Sequence, residues 1–386
     1  MNSIKRQNKN ARISKHLRLS LRVVRAALLP LALCLCAWDT QSHGQQLREA
    51  FRGVQQAVVI VRTEQLGLAP FPQPGLMSSN GLGSGVLISN DRVLTAAHLV
   101  ESADKTMVEL SEGELIQARV IGCSLSADVA LLQLDHSPGN YMAAKLGDSD
   151  QTAVGDEIFV VGAPYGIGNT LTAGHVSGRH ALKNASQNGA KIEFVQTDAA
   201  INGGNSGSPV FNLKGEVVGI VSSIMSRSGG SEGMAFAATS NTVRRLLLEQ
   251  KPFWTGIEGF RVEGSLARAL NLPQPAGVLV QRVAERSIAE RCGIRPGTLR
   301  ATIEGEEIVL GGDVILGVNG VDVATAESFD DIYANIAKVK PGENMVITIF
   351  RQGKIVKLAL PPSQSFAFNL RAWTESEEFQ VLKRCN

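Results

Sequence analysis

The sequence predicts a mainly β protein of two successive modules: a β-barrel or sandwich pair, then a smaller unit of mixed strands and helices. Three observations lead there. From about residue 54 to 240, short β-branched runs recur between Gly-rich turns. One helical stretch at residues 242–250, closed by Lys251-Pro252, separates that region from the rest of the chain. The chain of 386 residues is 44% hydrophobic, which is room and apolar content for two cores.

Strands are expected at 57–62, 85–89, 107–110, 130–134, 158–161 and 216–221, each a β-branched run bounded by turn residues. The second module, residues 253–361, offers strands at 277–283, 344–350 and 355–360, with helical stretches near 284–292 and 326–338. The segment from Glu64 to Gly81, rich in Pro and Gly, reads as a loop between the first two strands. Gly81-Leu-Gly-Ser-Gly85 has dinucleotide-loop spacing, but a strand comes after it, so a phosphate would lack a helix N-terminus. The tail, 362–386, is polar and expected to be loosely held.

The formal charge of +2 conceals segregation, because residues 1–44 hold eight Lys/Arg against one acid. The remainder carries 30 bases and 35 acids, and such a mildly acidic body with no basic stripe argues against a nucleic-acid partner. The basic stretch runs into thirteen uncharged residues, from Ala26 to Trp38. A membrane span needs about 20, a signal-peptide core about 7–15. Small Ser42 and Gly44 precede Gln45, so 1–44 reads as an export signal, with an uncleaved anchor as the alternative. The expected destination is the periplasm or the exterior. Membrane association is expected only if the leader is kept. Beyond the leader lie Cys123, Cys292 and Cys385, an odd and sparse set that is no disulfide framework. No metal constellation and no cofactor motif stands out.

Chemistry gathers at three places. Leu94-Thr-Ala-Ala-His98 runs a strand into a small-residue turn ending in histidine. Ser126-Ala-Asp128 opens a strongly apolar strand. Asp198-Ala-Ala-Ile-Asn-Gly-Gly-Asn-Ser206-Gly-Ser-Pro209 holds a serine among small residues. Acyl transfer needs such a set: a hydroxyl, an imidazole to take its proton near neutral pH, and a carboxylate to fix the imidazole tautomer. Glycines beside the nucleophile let backbone N–H groups face a developing oxyanion. Each piece alone is commonplace, a surface histidine or a turn aspartate.

Together, and in the order His, Asp, Ser, they resemble the trypsin-like serine proteases of the HtrA/Deg family over about residues 50–245. Thr95-Ala-Ala-His98, Asp128-Val-Ala-Leu-Leu and Gly204-Asn-Ser206-Gly carry the match. The resemblance implies a chymotrypsin-like double β-barrel over 45–250, with His98 as general base, Asp128 as its orienting partner and Ser206 as nucleophile. The N–H groups of Gly204 and Ser206 would form the oxyanion hole. Ala200 falls where trypsin places its acidic pocket floor. With Ile220 and Ile224 it suggests a pocket for small aliphatic side chains. Asn205 replaces the Asp that pairs with a newly cut N-terminus in digestive relatives, which argues against activation by clipping. Ser208 stands where the family often has glycine.

The second module, 253–361, resembles a PDZ domain. Trp254-Thr255-Gly256-Ile257 is similar to its carboxylate-binding loop, and Gly277-Val-Leu-Val, Cys292-Gly-Ile-Arg-Pro-Gly297 and Gly311-Gly-Asp-Val come after it in the expected order. Residues 298–310 are an insertion. The expected function is an exported serine endopeptidase that cuts unfolded or damaged proteins. Its PDZ domain would receive peptide C-termini, and the family's basic trimer is the expected assembly. The rival, a barrel kept only for binding, would not need all three triad positions filled.

Overall fold

A computed structural model of the chain describes residues 43–69, 75–139, 141–182, 191–226, 230–249, 254–303, 305–324 and 344–360. The leader up to residue 42, the expected helix at 326–338 and the tail lie outside the described residues. The chain divides into two compact units, 1–49 and 50–386, and both β modules belong to the second. No helix among the described residues is long and apolar enough to cross a membrane.

After α1 (His43–Val54), six strands close a barrel in the order β1-β2-β3-β6-β5-β4. They are β1 (Val58–Leu68), β2 (Leu76–Leu87), β3 (Arg92–Thr95), β4 (Lys105–Glu109), β5 (Leu115–Ser124) and β6 (Val129–Leu134). β6 is enclosed along nearly its whole length, as its apolar run demands. Its one polar member, Gln133, donates to the Asp91 carboxylate at 2.7 Å. Val59, Val61, Leu87, Val93, Val108, Ile116 and Leu132 fill the interior. The segment expected as a loop from Glu64 to Gly81 is mostly hairpin instead: β1 and β2 stay in register out to Leu68 opposite Leu76. Turn-rich composition masked the strands because a long hairpin needs few buried side chains, and the outer residues of β2 are exposed. A short helix, α2 (Ala97–Val100), comes directly after β3.

The second barrel is built from β7 (Lys145–Leu146), β8 (Glu157–Gly162), β9 (Thr170–Ala181), β10 (Glu193–Thr197), β11 (Pro209–Asn212), β12 (Glu216–Ile224) and β13 (Ala235–Thr239). The order is β11-β8-β9-β10-β13-β12-β7, and β11 also pairs with β12, which closes six of the strands into a ring. Phe159 and Phe211 stack at 5.2 Å between ring centroids in its wall. The helix expected at 242–250 begins earlier, with α3 (Ser240–Val243) directly after β13. Thr239 caps α3 through its side chain, and residues 244–249 continue it in a wider π winding.

The second module is a six-stranded sheet. It runs β14 (Ile257–Glu263), β15 (Ala276–Val283), β18 (Val314–Val318), β20 (Met345–Arg351) and β21 (Lys354–Leu360), with β19 (Val321–Asp322) beside β18. The insertion folds as its own hairpin, β16 (Leu299–Ile303) with β17 (Glu306–Leu310). A short helix, α4 (Gly264–Ala269), comes after β14. Of the helical stretch expected at 284–292 only α5 (Ile288–Arg291) forms, capped by Ser287.

Candidate active site

α2 is four residues long, and its N-cap residue, Ala96, has no side chain with which to cap it. The cap comes from elsewhere: Asp128 Oδ1 accepts the His98 backbone N–H at 2.9 Å. The same carboxylate meets the His98 ring, with Nδ1 at 2.8 Å from Oδ2 and 3.0 Å from Oδ1. Asp128 sits at φ 50°, a left-handed turn that Asp tolerates better than most residues. Its N–H donates to the Leu125 carbonyl at 3.1 Å, and the next residue enters β6. The turn therefore delivers the carboxylate to the start of α2. Ser222 of β12 completes the shell, its hydroxyl donating to Asp128 Oδ2 at 2.7 Å.

The nucleophile candidate lies on the turn before β11. Asn205 N–H donates to Asn202 O at 3.0 Å and Ser208 N–H to Asn205 O at 2.9 Å. Gly207 fixes the turn against barrel one. It holds φ 83°, and a Cβ there would lie 2.2 Å from the Ser84 carbonyl and 2.8 Å from the Ala96 amide. Only glycine permits that approach. The approach places Ser206 beside the strand end that leads into His98. Gly204 is equally constrained, with φ 95° and a Cβ position 2.5 Å from the Ala163 carbonyl. Among the described residues, neither the Gly204 N–H nor the Ser206 N–H donates to an acceptor within the protein. The Gly203 carbonyl accepts the Tyr165 N–H at 2.9 Å, which turns the other side of that peptide, the Gly204 N–H, outward.

The remaining expected positions are mixed. Ala200 is exposed and Ile224 half-buried, but Ile220 is fully enclosed, so it has no surface to offer a substrate. Ser208 is enclosed as well, and its hydroxyl has no partner among the described residues. It fits because Gly162 faces it: a Cβ on that glycine would lie 2.1 Å from Ser208 Oγ. In the second module, the Ile257 N–H is taken by the Thr255 hydroxyl at 3.1 Å, and Gly256 O accepts from Ala284 N–H. Trp254 turns away toward barrel one, where it packs on the apolar core and donates to the Glu101 carbonyl at 2.8 Å. Nothing in the sequence singles out Ser222, which sits within an ordinary strand pattern, and the Gly-rich run 81–85 gives its serine, Ser84, no role. Cys123 is no rival nucleophile: burial first, then the charges of Glu101 and Asp128, push its thiol well above the ordinary range. The described residues contain no cluster able to hold a metal ion.

Residues 83–220 match the trypsin-like peptidase domain. A probable periplasmic serine protease do/HhoA-like of Haemophilus influenzae is 37% identical over 295 residues, 74% of this chain and 59% of the relative. The periplasmic serine endoprotease DegP of Escherichia coli K12 is 34% identical over 314 residues, 77% of this chain and 62% of the relative. The chain belongs to the HtrA/DegP-like trypsin-type proteases. It spans about three fifths of the length of these curated relatives. Among solved structures, the HtrA-type protease AlgW with a tripeptide is 30% identical, covering 82% of this HtrA-like chain and 96% of its own, with a TM-score of 0.46.

Proposed function

We propose that this HtrA-like chain is a serine endopeptidase of the cell envelope that hydrolyses unfolded or damaged proteins through an acyl-enzyme. The observation that carries the reading is the Asp128 carboxylate closed on His98 Nδ1 at 2.8 Å, with the Ser206 turn packed against the strand end leading to that histidine. Asp128 holds the Nδ1–H tautomer, which leaves Nε2 basic. Nε2 takes the Ser206 proton as Oγ attacks the scissile carbonyl, and returns it to the leaving amine. The Gly204 and Ser206 N–H groups receive the developing oxyanion, and water attack on the ester repeats the sequence. Ala200 and Ile224 bring no charge to the neighbourhood of the nucleophile, so small aliphatic side chains are the expected P1 residues.

The relatives named periplasmic, together with the basic leader, support export across the inner membrane. The second module acts as a PDZ domain that receives peptide C-termini and adjusts the protease, and a homotrimer is the working assembly. The purified chain is expected to degrade casein, and Ser206→Ala is expected to abolish degradation while leaving the fold intact. Equal casein loss with both proteins would remove the proposed nucleophile. Cleavage after Lys or Arg in the product peptides would remove the proposed pocket.

A further inference from the structure

We propose that Ser84 is a positioning residue for the oxyanion-binding peptide, acting through a hydroxyl that bridges the two barrels; the inference rests on the protease reading above. Ser84 lies in β2 of barrel one and is fully enclosed. Its Oγ accepts the Ala163 N–H at 2.9 Å and donates to the Gly204 carbonyl at 2.8 Å. Both partners belong to barrel two's side of the molecule, and both border the group that is to bind the oxyanion.

The geometry forms a closed clamp. Ala163 begins the turn that carries Tyr165, whose N–H holds the Gly203 carbonyl at 2.9 Å. That bond decides which way the Gly203–Gly204 peptide faces, and so where the Gly204 N–H points. On the far side of Gly204, its carbonyl is held by Ser84. One hydroxyl therefore ties the supporting turn to the peptide that it supports. The Ser84 backbone takes part too: its N–H donates to Ser206 O at 2.8 Å, and its carbonyl accepts from Thr95 Oγ1 at 2.7 Å, three residues before His98. Tyr165 holds an uncommon φ of 54°, a conformation that persists only where surrounding contacts determine it.

Without the hydroxyl, the buried Ala163 N–H and the half-buried Gly204 carbonyl lose their common partner, and the cheapest relief is rotation of the peptides that carry them. An oxyanion donor must lie within a few tenths of an ångström of its place. Removing one such donor costs about 10²–10³ in kcat, and loss of its support is expected to cost about 10–100-fold.

The test compares Ser84→Ala and Ser84→Cys with the wild-type chain, using a chromogenic peptide for kcat and KM. Exhaustive fluorophosphonate labelling counts competent sites, and a peptide boronic acid serves as a mimic of the tetrahedral adduct. Ser84→Ala is expected to lower kcat per labelled site by about 10–100-fold with KM within about threefold, and to weaken the boronate in the same proportion. Ser84→Cys, with a weak donor of similar size, is expected to fall between. A merely structural role would instead reduce the labelled fraction and leave kcat per labelled site unchanged, and that result would overturn the proposal. So would a boronate affinity unchanged in Ser84→Ala. If the wild-type chain itself neither cleaves nor labels, the protease reading fails, which is a different outcome from an active enzyme indifferent to Ser84.

Discussion

Asp128 performs two tasks with one carboxylate, capping α2 at the His98 N–H and fixing the His98 ring. Replacement by Asn preserves shape but removes the charge and confuses the tautomer. Asp128→Asn is therefore expected to lower kcat by about 10⁴, as tautomer loss does in such triads. The accompanying loss of stability, seen in urea unfolding, should be only about 1 kcal/mol, the scale of a cap. Ser222→Ala removes a hydroxyl donated to the charged oxygen and is expected to cost about tenfold in kcat, from a bond of about 1.5 kcal/mol. Ser208 is the reverse case. Its enclosed hydroxyl has no partner among the described residues, so Ser208→Ala is expected to leave the thermal midpoint equal or higher. His98, Asp128 and Ser206 could be picked out as candidates in the sequence because each sits in a short stretch whose neighbours are themselves constrained. Ser222 and Ser84 could not, because their partners lie 94 and 120 residues away. Nothing local distinguishes a strand serine that faces a carboxylate from one that faces solvent.

Strands announced themselves by composition where they line a core, as in β6, β8 and β12. They escaped where they do not, as in the outer part of the β1–β2 hairpin, whose exposed residues read as a loop. Polar clamps between strands were equally invisible. Arg179 of β9 meets Glu193 of β10 at 2.8 Å and also donates to the Ser149 and Thr152 carbonyls. Burial opposes the charge on Glu193, but Arg179 and Lys191 outweigh it and hold its carboxyl below its ordinary 4.5. A depressed carboxyl contributes stability above its unfolded-state pKa and loses it as the pH falls through the folded value. The clamp should therefore weaken as the pH drops below about 4.5, and Glu193→Gln should flatten that part of the stability profile. In the second module, Asp313 is nearly wholly enclosed and takes two bonds of 2.7 Å from Arg351 and one of 2.8 Å from Arg295 N–H. The pairing with Asp313 raises the Arg351 pKa above its usual value, against the opposing effect of burial. Asp313→Ala leaves that guanidinium only the Gly293 carbonyl and removes its counter-charge, which is expected to cost about 3–5 kcal/mol, read as an earlier unfolding step of this module.

At the scale of the whole molecule, the sequence predicts two successive modules and carries no signal of how they meet. The residues placed by resemblance in a carboxylate loop begin with Trp254, and that side chain is committed to the first barrel, just past α2. Ser102 also donates to Glu258 of β14 at 2.8 Å, and Asp104 accepts the Glu285 N–H at 2.9 Å. The segment after His98 and α2 is thus the docking ground of the second module. Trp254→Ala is expected to uncouple the two modules into separate thermal transitions in calorimetry, where the wild type is expected to show one. The proposed chemistry rests on one hydroxyl, that of Ser206. The most direct measurement is labelling of the purified chain with a fluorophosphonate, followed by mass spectrometry of its peptides. The expected result is a single adduct on Ser206, absent from Ser206→Ala and formed far more slowly by Asp128→Asn. A folded wild-type chain that stays unlabelled, or that carries its adduct on another residue, would contradict the account.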